Sequence, residues 1–384
     1  MRFLHTSDWH VGKMLRGRSR LDEQEAVRSE ILDIARRERV DCMLLTGDIF
    51  DSQVPSPDVE RLVYNFFADL LGAGIAAVVI GGNHDHPKRL AALRQLLDPL
   101  KIYIRPEPSS PSSGGVIEFA KNGEIATIAV LPFVSEKKIV DVCQMMAPEY
   151  SWYQAYEERV GQMCEKLTEG FSTKTINILL GHLFVSGSKT SGSERDIHVA
   201  QPYAVSPQRF PASATYIGLG HLHRPQQVPA PSPCFYAGSP LQLDFGEQGQ
   251  EKRVLLLDGK AGKAVQVENI PLTSGRKLRY ANGTFDELQS AASQFGNDYL
   301  CVTVKTDGPV PGIADRIREL LPNALHITPE FPRSVPEQQT RRDMAPHLMF
   351  TAFYESLHGA PPAHELLQAF QTIYEEVTDA SGKA

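Results

Sequence analysis

The chain has 384 residues with 39 Lys+Arg against 46 Asp+Glu, and 42% of its residues are hydrophobic. This composition excludes a disordered, fibrous or repeat-biased chain and predicts two or three domains that have their own hydrophobic cores. The net charge of -7 provides no overall basic field, so composition alone gives no reason to expect nucleic-acid binding.

Short aliphatic runs alternate with longer amphipathic stretches from the start to about residue 132. The runs predict strands near Phe3, at residues 42–46 and at residues 75–80. The amphipathic stretches predict helices over residues 20–39, 57–71 and 87–97. Buried strands separated by helices are typical of a layered α/β sheet. A hairpin is then predicted, with a turn at residues 121–124.

A helix over residues 150–169 and five more strands complete the predicted first domain, residues 1–272. The strands are expected at residues 175–180, 216–219, 234–236, 253–257 and 264–267. Strand and helix patterns alternate again over residues 273–330 and predict a small second α/β domain. Residues 331–346 are proline-rich and charged, which is typical of a linker. Apolar side chains at helical spacing in residues 347–384 predict a helical pair that needs a surface to pack against.

The five cysteines are scattered and form no C-x-x-C pair, a pattern that favours a reducing compartment. The N-terminus lacks the charged and apolar regions of a signal peptide, and the aliphatic run at residues 75–80 is too short to cross a bilayer. We therefore expect a soluble cytoplasmic protein.

Side chains with metal-binding chemistry follow the ends of the predicted strands. They are Asp8, His10, Asp48, Asn83, His182, His221 and His223. The carboxyl ends of sheet strands share one crevice, so these residues should converge, and the adjacent glycines permit close approach. Carboxylates, an amide and imidazoles suit Mn, Fe or Zn, and seven ligands exceed the needs of one ion. Two ions sharing an aspartate predict phosphoester hydrolysis.

The ordered elements D-x-H, G-D, G-N-H-D, G-H and G-H-x-H resemble the calcineurin-like metallophosphoesterase superfamily. The resemblance implies an α/β fold, a layered β-sandwich flanked by helices, with Asp48 bridging two metals. The two implied ligand sets are Asp8, His10 and His223 for the first metal, and Asn83, His182 and His221 for the second. His84 would hydrogen-bond the phosphate and assist the leaving oxygen, and Asp85 would orient His84 from behind.

Other polar and aromatic residues near these motifs have less specific patterns. His5, inside the first strand, is expected to be packed and hydrogen-bonded, with a place behind the ligands as an alternative. Trp9, between two of the ligands, is expected to pack, with covering the metals as the alternative. The basic residues Lys88, Arg89, Arg94, Lys137 and Lys138 either face solvent or contact phosphates.

Several stretches of the first domain resemble the bacterial SbcD family of nuclease subunits. They lie at residues 2–12, 48–51, 55–57, 187–199, 220–224 and 236–240. The resemblance implies a DNA nuclease with two Mn²⁺ ions, or with Mg²⁺, Fe²⁺ or Zn²⁺ in their place. It implies endonuclease activity on single strands, and 3′ to 5′ exonuclease activity at duplex ends together with the SMC-like ATPase subunit SbcC. Such an enzyme acts in DNA end, hairpin and recombination processing.

The layout of this family also implies roles for the remaining parts of the chain. The small second domain would cap the catalytic domain and shape DNA access, and residues 347–384 would bind the coiled coil of SbcC. Helices at residues 57–71 and 87–97 would pair two catalytic domains into a homodimer within a heterotetramer. Ordinary packing against the sheet is the alternative for those helices, and folding back onto the chain's own domains is the alternative for the C-terminal pair.

Two other functions remain open from the sequence. The first is a calcineurin-like nucleotide or small-molecule phosphodiesterase, which a capping domain and a partner-binding segment disfavour. The second is a scaffold that uses the fold only for binding, which the complete ligand set and His84 disfavour.

Overall fold

The computed structural model describes residues 1–135, 149–194, 204–332, 345–358 and 360–381. A first six-stranded sheet contains four parallel neighbours: β1 (Arg2–Thr6), β2 (Cys42–Thr46), β3 (Ala76–Ile80) and β4 (Ile102–Arg105). Two antiparallel strands, β11 (Arg253–Asp258) and β12 (Gln266–Pro271), extend this sheet beyond β1. Both faces of the parallel strands are covered, so β2 and β3 are buried along their whole length.

The second six-stranded sheet has the order β5-β6-β7-β8-β10-β9. Its strands are β5 (Val116–Lys121), β6 (Glu124–Leu131), β7 (Ile176–His182), β8 (Tyr216–Gly220), β9 (Gln226–Val228) and β10 (Cys234–Tyr236). The turn between β5 and β6 is the predicted hairpin. Asn122 and Gly123 have φ of 53° and 81°, the left-handed values that a two-residue hairpin turn needs.

The two sheets pack face to face, and helices cover their outer faces. Leu44 and Val78 of the first sheet share a buried cluster with Ile128 and Leu180 of the second. The outer face of the first sheet packs against α1 (Leu21–Arg37), α2 (Pro57–Gly72) and α3 (Pro87–Leu97). The outer face of the second packs against α4 (Glu149–Thr168). This arrangement confirms the predicted sandwich flanked by helices.

A smaller sheet of three parallel strands follows in sequence: β13 (Leu278–Gly283), β14 (Tyr299–Lys305) and β15 (Ala324–Glu330). Its crossover helices are α5 (Phe285–Phe295) and α6 (Ile313–Leu320), and Thr284 with Glu287 forms a capping box at the start of α5. We call residues 278–330 the cap. A buried cluster of Leu15, Phe245, Leu278 and Tyr299 joins the cap to the sandwich.

The last helices, α7 (Pro346–His358) and α8 (His364–Ser381), belong to a second compact unit, whereas the sandwich and nearly all of the cap form the first. Phe350 of α7 stacks on Phe370 of α8 with ring centroids 4.3 Å apart. Most of the predicted linker lies outside the described residues, and the predicted domain boundaries stay predictions. Among the helices that the structure describes, none is long and apolar enough to span a membrane.

Three details of the strand pattern differ from the sequence expectation. The strand expected over residues 264–267 begins at Gln266, because the chain is still leaving the turn at residues 261–263. The short strands β4 and β9 were not predicted. The three residues of β9 show no alternation of apolar and polar side chains that would signal a strand.

Candidate metal centre

The predicted ligands converge where β1, β2, β3, β7 and β8 end. The loops after β1 and β2 are joined by backbone hydrogen bonds, from His10 N to Asp48 O at 2.9 Å and from Val11 N to Ile49 O at 2.9 Å. Across the two sheets, His221 N donates to Asp8 Oδ1 at 2.9 Å. The sandwich therefore holds residues from both sheets at one edge.

A first group of donors consists of Asp8, His10 and His223, whose ligand atoms all lie within 4.8 Å of one another. The Nε2 atoms of His10 and His223 are 3.1 Å apart. Asp8 Oδ2 is buried, and no residue in the described part of the chain hydrogen-bonds it. Two imidazole nitrogens facing each other beside an unsatisfied carboxylate oxygen are the donor set that a divalent cation satisfies.

A second group brings Asp48, His182 and His221 together within the same distance limit. Asn83 joins them, since its Oδ1 lies 3.0 Å from His182 Nε2 and 3.0 Å from His221 Nδ1. His182 Nδ1 donates to the Thr46 carbonyl at 2.8 Å, which leaves Nε2 as the atom available to a metal.

Asp48 lies between the two groups. Its Oδ2 is 3.5 Å from His10 Nε2 and 3.5 Å from His182 Nε2. Burial alone would raise the pKa of Asp48, but the His182 and His10 imidazoles hold it well below its usual range. Burial raises the pKa of Asp8 to about 7. The ionised form of Asp8 is thus costly at this depth, and a bound cation would offset that cost.

Close backbone approach at the centre requires glycine at particular positions. A Cβ at Gly82 would lie 2.1 Å from Asp48 Oδ1, and a Cβ at Gly220 would lie 1.8 Å from Thr46 O. Both distances are far below van der Waals contact. The glycines beside the ligands are therefore needed to bring the loops together.

His84 borders both donor groups. Its ring centroid is 4.6 Å from that of His10, and its Nδ1 donates to the Asp51 carbonyl at 2.8 Å. The residue is 9% exposed, against 7% or less for each of the seven predicted ligands. Its distances to His10 and Asp48 also permit a ligand role.

Asp85 holds the loop that carries His84. Its carboxylate accepts hydrogen bonds from the backbone amides of Ile49, Phe50 and Gly82 at 2.9 to 3.2 Å. The carbonyl of Asp51 is the hydrogen-bond partner of the His84 ring. The orienting role expected of Asp85 stays a prediction, and the contacts of its side chain fix the backbone next to His84.

Three acidic residues around the centre received no role from the sequence. Asp51 Oδ1 lies 3.2 Å from His10 Nδ1, Glu194 Oε1 accepts from His223 N at 3.1 Å, and Glu247 Oε1 lies 3.3 Å from His223 Nδ1. Asp51 and Glu194 fall inside stretches that carry the family resemblance, so the sequence offered a pattern from which a role for them could be predicted. Glu247 lies in a polar loop, and its sequence context gives no sign of a buried position.

The remaining sequence candidates separate into packed, ion-paired and undescribed residues. His5 is fully buried between the Tyr216 hydroxyl at 2.8 Å and Thr46 Oγ1 at 2.9 Å. Trp9 packs edge-on against Phe66. Arg89 and Arg94 form ion pairs with Glu60 and Asp98, while Lys137, Lys138 and residues 195–199 lie outside the described residues.

Comparison with known proteins identifies the family. The sequence model of the calcineurin-like phosphoesterase family matches residues 1–225, and that of the Type 5 capsule protein repressor C-terminal domain matches residues 274–357. A Bacillus subtilis protein, named as the D subunit of nuclease SbcCD, is 33% identical over the full length of both chains. The chain belongs to the SbcD family of calcineurin-like phosphoesterases.

Two further relatives carry the same name. The relative from Staphylococcus epidermidis is 25% identical and aligns over 85% of each chain. The relative from Rhodobacter capsulatus is 30% identical over 92% of this chain and 94% of its own. Membership in this family of nuclease subunits makes the chain a metal-dependent phosphoester hydrolase, and the buried donor groups fit divalent ions.

Proposed function

We propose that the chain is the nuclease subunit of a DNA-processing complex and hydrolyses DNA phosphodiesters at a two-metal centre. The observation that carries the proposal is the position of Asp48 Oδ2, which lies 3.5 Å from one imidazole of each donor group. One carboxylate placed in this way suits two ions, for which Mn²⁺ fits the mixed imidazole, carboxylate and amide donors. Divalent ions supply Lewis acidity that neutralises phosphoryl charge and activates water.

Separate roles in this reaction are proposed for the chain's own residues. The first metal would be held by Asp8, His10 and His223, the second by Asn83, His182 and His221, and Asp48 would be shared. His84, fixed by the Asp51 carbonyl, would hydrogen-bond the phosphate and stabilise or protonate the leaving oxygen. Asp85 would keep the His84 backbone in place.

A polyanionic substrate is supported by the basic segment at residues 13–20. Lys13 Nζ lies 3.3 Å from Asp51 Oδ1 at the centre, and the guanidinium of Arg18 lies 5.4 Å from the ring centroid of Tyr299 in the cap. The segment therefore extends from the centre to the cap. Local basic groups of this kind attract phosphates even though the chain as a whole is acidic.

The substrate assay should use labelled linear duplex, hairpin and circular single-stranded DNA with Mn²⁺, with and without SbcC and ATP. We expect the isolated chain to cut single strands, and duplex-end degradation from 3′ to 5′ to require SbcC and ATP. A chromogenic phosphodiester serves as the comparison substrate. Hydrolysis of that diester without cleavage of any DNA would favour a small-molecule phosphodiesterase, and metal binding without any hydrolysis would favour a scaffold.

We also propose that α7 and α8 bind SbcC. Leu348, Phe353, Leu366 and Ile373 are each between 41% and 62% exposed, although the two helices pack through Phe350 and Phe370. Amphipathic helices with such apolar side chains commonly dock on a partner helix or coiled coil.

A homodimer through α2 and α3 is part of the same proposal. Val63, Phe66 and Phe67 are buried in the core of their own domain, so ordinary packing accounts for them. Leu96 is 69% exposed, and Leu100, just after α3, is also exposed. These two apolar side chains are available to contact a second copy of the chain. The cytoplasmic location expected from the cysteine pattern and the N-terminal sequence stays a prediction.

A further inference from the structure

The polar network behind His223 extends beyond the ligand set. Glu247 is fully buried, and its Oε1 lies 3.3 Å from His223 Nδ1. Ser193 Oγ lies 2.6 Å from the same nitrogen and donates its single hydroxyl proton to Glu247 Oε1. His223 Nδ1 is therefore the donor in both contacts, and Nε2 carries the lone pair that faces His10.

Lys252 is the buried counter-ion of Glu247. Its Nζ lies 2.6 Å from Glu247 Oε2 and donates to the His223 carbonyl at 2.9 Å. Ser239 N also donates to that carbonyl, at 3.1 Å. The backbone of His223 thus has a second support when Lys252 is replaced, whereas its ring depends on the Glu247 and Ser193 oxygens.

The loop that carries Glu247 is anchored by the cap. Phe245 is buried against Leu278 and Tyr299, and Tyr280 N donates to Gln248 Oε1 at 2.7 Å. Leu243 N also donates to Glu247 Oε2 at 3.1 Å. The carboxylate is consequently fixed by Leu243 N and Lys252 as well as by its contacts with Ser193 and His223.

We infer that Glu247 is a positioning residue that fixes the His223 ring with Nε2 directed at the metal centre. The inference rests on the proposed metal-binding role of His223. A carboxylate bound to the far nitrogen of a ligating imidazole sets its tautomer and orientation, and its removal typically weakens metal affinity about 10- to 100-fold. The competing explanation is that Glu247 only neutralises buried Lys252.

Two double variants separate these explanations. Glu247→Leu with Lys252→Met removes both charges and the acceptor, while Glu247→Gln with Lys252→Met removes both charges but keeps an acceptor oxygen. Replacing a whole buried ion pair is often neutral for stability, so both should fold. Glu251→Gln, in the same loop but exposed, is the control. Melting temperatures in EDTA check folding, and equilibrium dialysis with Mn²⁺ alone measures affinity and stoichiometry.

We expect the Leu/Met variant to lose about 10- to 100-fold in affinity for one of the two Mn²⁺ equivalents. The Gln/Met variant should lose clearly less, and Glu251→Gln should bind as the wild type does. Wild-type affinity in both double variants, or an equal loss in both, would overturn the inference. If the Leu/Met variant does not fold, Glu247→Met with Lys252→Met replaces it as the pair without an acceptor oxygen, and wild-type Mn²⁺ affinity there would contradict the inference. A wild-type chain that binds two Mn²⁺ but cleaves no DNA would contradict the proposed function alone.

Discussion

Side chains at the metal centre are presented by an unusual backbone. Four of the site residues have φ in the left-handed region: Asp8 at 50°, His10 at 43°, Asp48 at 48° and His221 at 102°. Each such residue costs on the order of 1–3 kcal/mol, which the surrounding structure must offset. The hydrogen bonds between the loops after β1 and β2 supply part of that compensation. Strain concentrated in this way supports a functional rather than a structural use of these loops.

Replacing His84 by glutamine should separate metal binding from catalysis. The His84 ring borders both donor groups but is fixed by a backbone carbonyl, so its loss leaves the seven proposed ligands in place. We expect both metals to stay bound while hydrolysis falls about 10²- to 10⁴-fold. Metal content and cleavage rate should be measured on one preparation. Full activity in a metal-loaded variant would rule out this role.

Replacing Asp48 by alanine should lower occupancy of both sites together. Its carboxylate contacts one imidazole of each donor group, and removing it leaves two cations without their shared anion. Elemental analysis after dialysis against limiting Mn²⁺ reports the occupancy. Loss of one ion with the other fully retained would count against the bridge.

The buried imidazole of His5 should make the metal-free chain sensitive to acid. Burial lowers the pKa of His5 to about 3, below the value of about 6.5 expected in the unfolded chain. The unfolded state therefore binds the proton more tightly, and stability is lost as the pH falls below about 6.5. Between pH 7 and pH 5 this residue alone should remove about 2 kcal/mol of unfolding free energy.

Urea unfolding in EDTA at both pH values, on wild type and His5→Gln, isolates this contribution. The variant is expected to lose about 2 kcal/mol less than the wild type over that interval. An identical pH dependence in the two proteins would show that His5 does not titrate in this way.

Secondary-structure elements with a strong local pattern were predictable from sequence. The strand at residues 42–46 and the helix at residues 87–97 match β2 and α3 because apolar runs, prolines and glycines mark their ends. The short strands β4 and β9 were not predictable, because pairing with neighbouring strands, rather than a local sequence pattern, defines them. The pairing of the two sheets into a sandwich was available only through the family resemblance.

The residues of the candidate site fall into the same two classes, those with a local sequence pattern and those without one. Residues next to strand ends and glycines, such as Asp48 and His182, were identifiable because motif and position coincide. The contacts of Glu247 and the carbonyl of Asp51 depend on loops that meet only in the folded chain. No local sequence pattern encodes such long-range contacts. The groups that hydrogen-bond these imidazoles could therefore be identified only from the structure.

The helices α7 and α8 should be dispensable for chemistry and required for partner binding. Removing residues 346–384 deletes the exposed apolar side chains Leu348 and Ile373 but none of the proposed ligands. Burying a large apolar side chain contributes about 1.5 to 3 kcal/mol, so several can hold a complex. We expect loss of SbcC in a pull-down, with single-strand cleavage retained. Retained SbcC binding together with a lower melting temperature would indicate that the helices stabilise their own chain instead.

At the scale of the whole molecule, the sandwich brings donors from two sheets together while the cap anchors a loop behind one of them. The core between the sheets fixes β2 and β7, which place Asp48 and His182. The cap contacts Phe245, in the loop whose Glu247 lies 3.3 Å from His223 Nδ1. Catalysis is therefore expected to depend on both parts of the first compact unit.

The central claim is that DNA cleavage needs two ions at the shared Asp48. The most direct test is a titration of Mn²⁺ into the metal-free chain, in which bound ions per chain and cleavage of circular single-stranded DNA are followed together. We predict that cleavage stays near background while the first equivalent binds and rises with the second. Full cleavage at one bound ion per chain, or no cleavage when two are bound, would contradict the claim.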